Sequence, residues 1–131
     1  MNILNHPATR WLPALVWAGL IAWLSHQPTL PAPSVPGIDK VFHAGEYGVL
    51  AFLSARALFP ILRRYQYGMR WGYVVLGCLL YATSDEMHQA FIPGRSCDPY
   101  DMIADVFGAG LAALVACMLS RRLRRLLSVE S

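Results

Sequence analysis

Apolar residues fall into four long blocks, and ionisable residues fill the gaps between them and intrude into one end of the last three. The cleanest block is "VFGAGLAALVACML" (106–119), nearly four helical turns without a polar side chain. "WGYVVLGCLLYAT" (71–83) reads the same way. A helix on a soluble surface needs a wet face, and these have none. No stretch reaches eighteen uncharged apolar residues cleanly, so length alone does not decide; but with their interfacial ends both blocks become segments of roughly 20 residues, enough to cross a bilayer.

A third block runs from about Ala8 to Ser25 around "WLPALVWAGLIAWL" (11–24). It has the position of a signal peptide, yet Trp11, Trp17 and Trp23 and the lack of a small-x-small cleavage site suit a retained helix. The fourth runs from Val41 to about Leu62 and carries His43, Glu46 and Arg56. The pattern therefore predicts an all-α fold in one domain over 1–131: an integral membrane four-helix bundle, with helices at about 8–25, 41–62, 71–90 and 100–120 and both termini cytoplasmic. The loop "SHQPTLPAPSVPG" (25–37) reads as an extended crossover.

Composition agrees: 56% of residues are hydrophobic, only 15% are charged, and mean hydropathy is +0.39. Charge sets the orientation. Of eleven Lys and Arg, Arg10, Arg56, Arg63, Arg64, Arg70, Arg121, Arg122, Arg124 and Arg125 flank one side, while Lys40 and Arg95 belong to the other. By the positive-inside rule the termini and the 63–70 loop are cytoplasmic and the 26–40 and 90–100 loops are outside. The net charge of +3 is thus a topology signal and argues for no nucleic-acid partner. "RRLRR" reads as a cytoplasmic anchor after the last helix. Three cysteines, two of them inside helices, make no disulfide framework. Membrane lipids are the expected partners, and a monomer is the expected state.

The acids are distributed differently. "SDEMHQAFIPGRSCDPYDMIAD" (84–105) holds five of the eight, and only Glu130 lies away from the outer half. Asp39 and Asp98 stand where helix N-caps belong, with Pro99 at a first helical position. Others lie deeper. His43, Glu46 and Tyr47 share a face of the second helix, Asp85, His88 and Gln89 share one on the third with Glu86 on an adjoining face, and Asp101 and Asp105 line the fourth. At about 1.5 Å per residue, Glu46 lies about 9 Å inside its helix, and Asp85 and Asp105 about 8 Å. Three helices bring carboxylates and imidazoles to one depth, with Lys40 and Arg95 the nearby bases. Such burial is expensive in a bilayer. Several acids must be protonated, share protons or meet an external cation. A stripe of small residues, Ala104, Gly108, Ala112 and Ala116, marks the fourth helix for close approach by a neighbour.

Three readings fit this constellation. The groups cap helices and close the outer end of the bundle. Alternatively, His43, Glu46, Asp85 or Glu86, His88 and Asp105 hold a divalent metal. In the third, they line a polar cavity that binds or modifies an envelope lipid or glycan head group. There Asp85, Glu86, His88, Asp101 and Asp105 carry acid–base chemistry, and Lys40, Tyr47, Gln89 and Arg95 contact the substrate. His6 and His26 lie outside the cluster and read as solvated.

"DKVFHAGEYGVLAFL", "SDEMHQAFIPGRS" and "DMIADVFGAGLAALV", with the S-x-x-P end of the first helix at Ser25–Pro28, together resemble the VanZ-like family of small polytopic bacterial membrane proteins. The resemblance spans about residues 39–116. It implies that Asp39, Lys40, His43, Tyr47, Asp85, Glu86, Gln89, Gly94, Arg95, Asp101 and Asp105 are the family's marked positions. It also implies action at the cell envelope, from the inner membrane, related to tolerance of glycopeptide antibiotics such as teicoplanin. It implies no particular reaction.

Overall fold

The computed structural model describes residues 7–28 and 35–129. Four helices, α1 (Pro7–Ser25), α2 (Ile38–Leu58), α3 (Tyr67–Gln89) and α4 (Pro99–Val129), account for the fold, and there is no strand among the described residues. The chain is all-α, as the pattern predicts.

Local chemistry sets the ends. Pro99 opens α4 at the position where its missing N–H costs nothing, and the Asp98 carboxylate accepts the Tyr100 N–H at 2.8 Å. The expected cap at Asp39 is corrected: Gly37, at φ 78°, is the residue before α2, and Asp39 sits in its first turn. An acid there still complements the helix N-terminus. The expected end of the second helix near Leu62 is corrected too. Pro60 has no N–H to continue the ladder, so α2 stops at Leu58 and turns occupy 59–64. In contrast, α4 runs through "RRLRR" to Val129, because arginine and leucine are good helix formers with no breaker among them.

The interior is built from small residues. Ala51, Ala55, Ala82, Ala109 and Ala113 are wholly buried, joined by Tyr47 and Ile21. The large side chains face outward: Leu12, Trp23, Leu80, Phe107, Met118 and Leu123 are each more than half exposed, and Phe107 is 69% exposed. α4 packs most extensively on α2. A methyl group at Gly108 would run into the Ala44 carbonyl, so the two backbones touch where the small stripe predicts close approach. One helix, over Pro99–Leu126, is long and apolar enough by length and composition to cross a membrane.

Candidate functional site

The α2–α4 contact fixes the geometry at the end where α2 and α4 begin and α1 and α3 finish. With Ala44 against Gly108, Lys40 and His43 come alongside Asp98, Asp101 and Asp105. The Lys40 ammonium donates to Asp39 Oδ2 at 2.9 Å, Asp98 Oδ2 at 2.7 Å and Asp101 Oδ1 at 2.5 Å. This latch ties the two helix starts together. Lys40, assisted by the Tyr100 N–H, holds the Asp98 carboxyl below the ordinary aspartate range.

One turn deeper, His43 Nδ1 lies 3.0 Å from Asp105 Oδ1, and its Nε2 lies 3.7 Å from Asp101 Oδ2. Asp105 is 1% exposed and Glu86 is 2% exposed. Glu86 reaches in from α3, where its Oε2 accepts the Asp98 N–H at 3.0 Å. Its Oε1 is buried without a partner. Ligand atoms of His43, Glu86 and Asp105 all lie within 4.8 Å of one another. A cation with bonds of about 2.0–2.2 Å holds tetrahedral ligands about 3.4 Å apart, so the triad needs a closure of little more than about 1 Å to accept one.

A second network faces α1. Asp85 Oδ2 accepts from Ser25 Oγ at 2.7 Å and from Gln89 Nε2 at 3.2 Å. Arg95 Nη2 donates to Gln89 Oε1 at 2.8 Å, and its other guanidinium nitrogens have no partner among the described residues. The turn that delivers Arg95 closes by its N–H on the Ile92 carbonyl at 3.0 Å, with Pro93 and Gly94 between. Gly94 has φ 83°, the third position of a type II turn, where a side chain would be strained. Beside this network an open cavity of about 450 Å³ is lined by Trp23, His26, Tyr81, Ser84, Asp85 and His88. His26 Nδ1 lies 3.1 Å from His88 Nε2, with the rings stacked at 5.4 Å.

The predicted residues thus divide into two sets. His43, Glu86, Asp101 and Asp105, with Lys40 above them, gather between α2, α3 and α4. Asp85, His88, Gln89 and Arg95 gather between α3 and α1. The Tyr47 hydroxyl is buried without a partner, within electrostatic reach of both Asp85 and Asp105. Of the five residues expected to share a metal, Glu46, Asp85 and His88 join no ligating group among the described residues, and Glu86 takes the place beside His43 and Asp105. Glu46 makes no side-chain hydrogen bond there; its carbonyl accepts the Trp17 indole N–H at 2.9 Å.

His26, which reads as solvated in the sequence, and Ser25, which closes the first helix, supply the partners of His88 and Asp85. Their signal is position: both lie where the first helix ends, at the level of the acid cluster. His6 lies outside the described residues.

A family model described as VanZ/LLP1 matches residues 4–120. No curated protein and no solved structure matches the chain.

Proposed function

The chain belongs to the VanZ/LLP1 family, and from that premise we propose that it is a multi-pass protein of the inner membrane whose acid–histidine pocket binds a divalent cation. The cation, with Arg95 and the adjoining α1–α3 cavity, would engage the head group of a lipid-linked or surface component of the envelope. The carrying observation is the triad: three ligating side chains from three helices within 4.8 Å, one of them holding a buried carboxylate oxygen without a partner. Leaving such an oxygen desolvated and unpaired is costly, and a cation offsets that cost. One nitrogen and two carboxylate donors suit zinc, manganese or iron, and three protein ligands leave a position open to an incoming oxygen.

Membrane embedding is supported by the apolar exterior over a small-residue interior, the reverse of a soluble bundle. The arrangement of arginines supports cytoplasmic termini and an outward-facing pocket. The Lys40 ammonium is taken up by three carboxylates, which leaves Arg95, among the described residues at this end, as the cation with open donors for an anionic head group. If the pocket also performs chemistry, Asp85 or Glu86 would act as the base and His88, in the open cavity, as the proton carrier. Tolerance of glycopeptides such as teicoplanin would then follow from occupying or altering the surface component that the drug needs.

The Lys40 latch favours a second reading. By gripping three acids it closes the outer end of the bundle, and the cluster would then be structural. Metal analysis of the purified full chain separates the two. Binding predicts about one zinc, manganese or iron per chain, lost in Glu86→Gln and His43→Ala, and a lower melting temperature in chelator. A metal-free chain whose melting temperature ignores chelator and added metal leaves the structural reading.

A further inference from the structure

The opposite end of the bundle carries its own unexplained charge. Arg10, Arg56, Arg63, Arg70 and Arg124 line a cavity of about 640 Å³ walled by Phe52, Phe59, Leu119 and Leu123. The seven acids among the described residues all belong to the other end, and no carboxylate there pairs with these arginines. Arg70 stands apart from the rest because it is only 3% exposed. Its Nε donates to the Tyr65 carbonyl at 2.9 Å and its Nη2 to the Arg63 carbonyl, while its guanidinium lies 4.7 Å above the Tyr67 ring. These contacts turn two of its nitrogens back toward the 59–66 turn. Its Nη1 is buried and without a partner, on a residue that lines the cavity.

A guanidinium fixed in this way is built to receive an anion. Leaving a charged donor buried and unpaired is costly, and a phosphate oxygen is a charged acceptor that would satisfy it. The other four arginines supply the field. The cavity walls are continuous with the apolar exterior, since Phe52, Leu119 and Leu123 are each at least 41% exposed. A soluble anion would leave those walls in water; an acyl chain would cover them.

We propose that this arginine-lined cavity is a binding site for an anionic phospholipid, whose phosphate meets Arg70 and whose acyl chains lie along Phe52 and Leu119. The site is separate from the acid–histidine pocket and does not depend on a metal there. It rests on the reading that the bundle lies in a bilayer.

The test uses the full chain in mild detergent, with native mass spectrometry to score retained lipid and melting temperature to score stabilisation. Phosphatidylglycerol should be retained and should raise the melting temperature, whereas phosphatidylcholine should do neither. The Arg56→Gln/Arg124→Gln double variant changes only exposed arginines and so should keep the fold. It should weaken phosphatidylglycerol retention by about tenfold or more, since each cation near an anionic lipid contributes on the order of 1 kcal/mol. Arg70→Lys, which keeps the charge but loses the Nη1 donor and the guanidinium's hold on the 59–66 turn, should weaken retention. Equal retention of the two lipids, or retention unchanged in the double variant, overturns the proposal. Equal stabilisation by inorganic phosphate alone overturns the lipid assignment. A chain that stays monodisperse without detergent instead overturns the bilayer premise, by a separate readout.

Discussion

At the scale of single residues, adjacent side chains on one helix have different partners. Asp85 and Glu86 are neighbours in sequence but point about 100° apart around α3, as the 3.6-residue turn requires. Asp85 therefore meets Ser25 on α1, and Glu86 meets the α4 start and lies with His43 and Asp105. His88, three residues beyond Asp85, follows it to the α1 side and stacks on His26. The common depth and the division into faces were both legible, because helical rise and periodicity are local properties. Which face meets which helix was not, since that depends on neighbours chosen by packing. The division yields a direct comparison. Asp105→Asn should weaken metal binding by more than about 100-fold, beyond what the loss of a supporting residue usually costs. Asp85→Asn should change it by less than about tenfold, because Asp85 lies outside the triad. Isothermal titration with zinc checks both, and equal losses would restore the single five-residue site that sequence spacing suggests.

At the scale of elements, the pocket depends on how closely α2 and α4 approach. The small stripe on α4 was readable as a packing face, and its occupant is α2 through Ala44 and Gly48. Pro60 is an equally local signal, and it ends α2 at Leu58, short of the Leu62 that hydropathy alone suggests. α4 outruns its expected end near residue 120 for the opposite reason: arginines that mark the end of an apolar span do not end a helix. Gly108→Ala places a methyl group against the Ala44 carbonyl, a backbone atom that cannot turn aside. We expect a loss of about 1–3 kcal/mol or more, as for overpacked cores, with metal binding falling alongside because His43 moves away from Asp105. Gly110→Ala is the matched control. Its added methyl group would lie at an ordinary 3.7 Å from Trp71, and the gain in helix propensity makes it neutral or stabilising. Thermal melts of the full chain in detergent compare the two. Similar melting temperatures for both variants would mean that the α2–α4 approach does not hold the pocket together.

At the scale of the whole molecule, charge is polarised along the bundle: acids and histidines gather at one end and arginines at the other, with apolar side chains facing outward between them. Sequence shows this polarity directly, because it needs only the order of blocks and charges. On the proposed bilayer reading the arginine count would set the side that each end faces, and the chain carries a native probe for it. Cys97 is exposed in the loop before α4, whereas Cys78 and Cys117 are buried in the bundle. A membrane-impermeant maleimide should therefore label the protein in right-side-out vesicles at Cys97 alone. Cys97→Ser should abolish that labelling. Arg122→Cys, placed on the exposed far end of α4 in the Cys97→Ser background, should be labelled only in inside-out vesicles. The reverse pattern would put the acid–histidine pocket in the cytoplasm, out of reach of any surface component, and the envelope function would fall even if the metal remained. Labelling of both cysteines from one side would instead remove the membrane-spanning bundle on which the polarity argument is built.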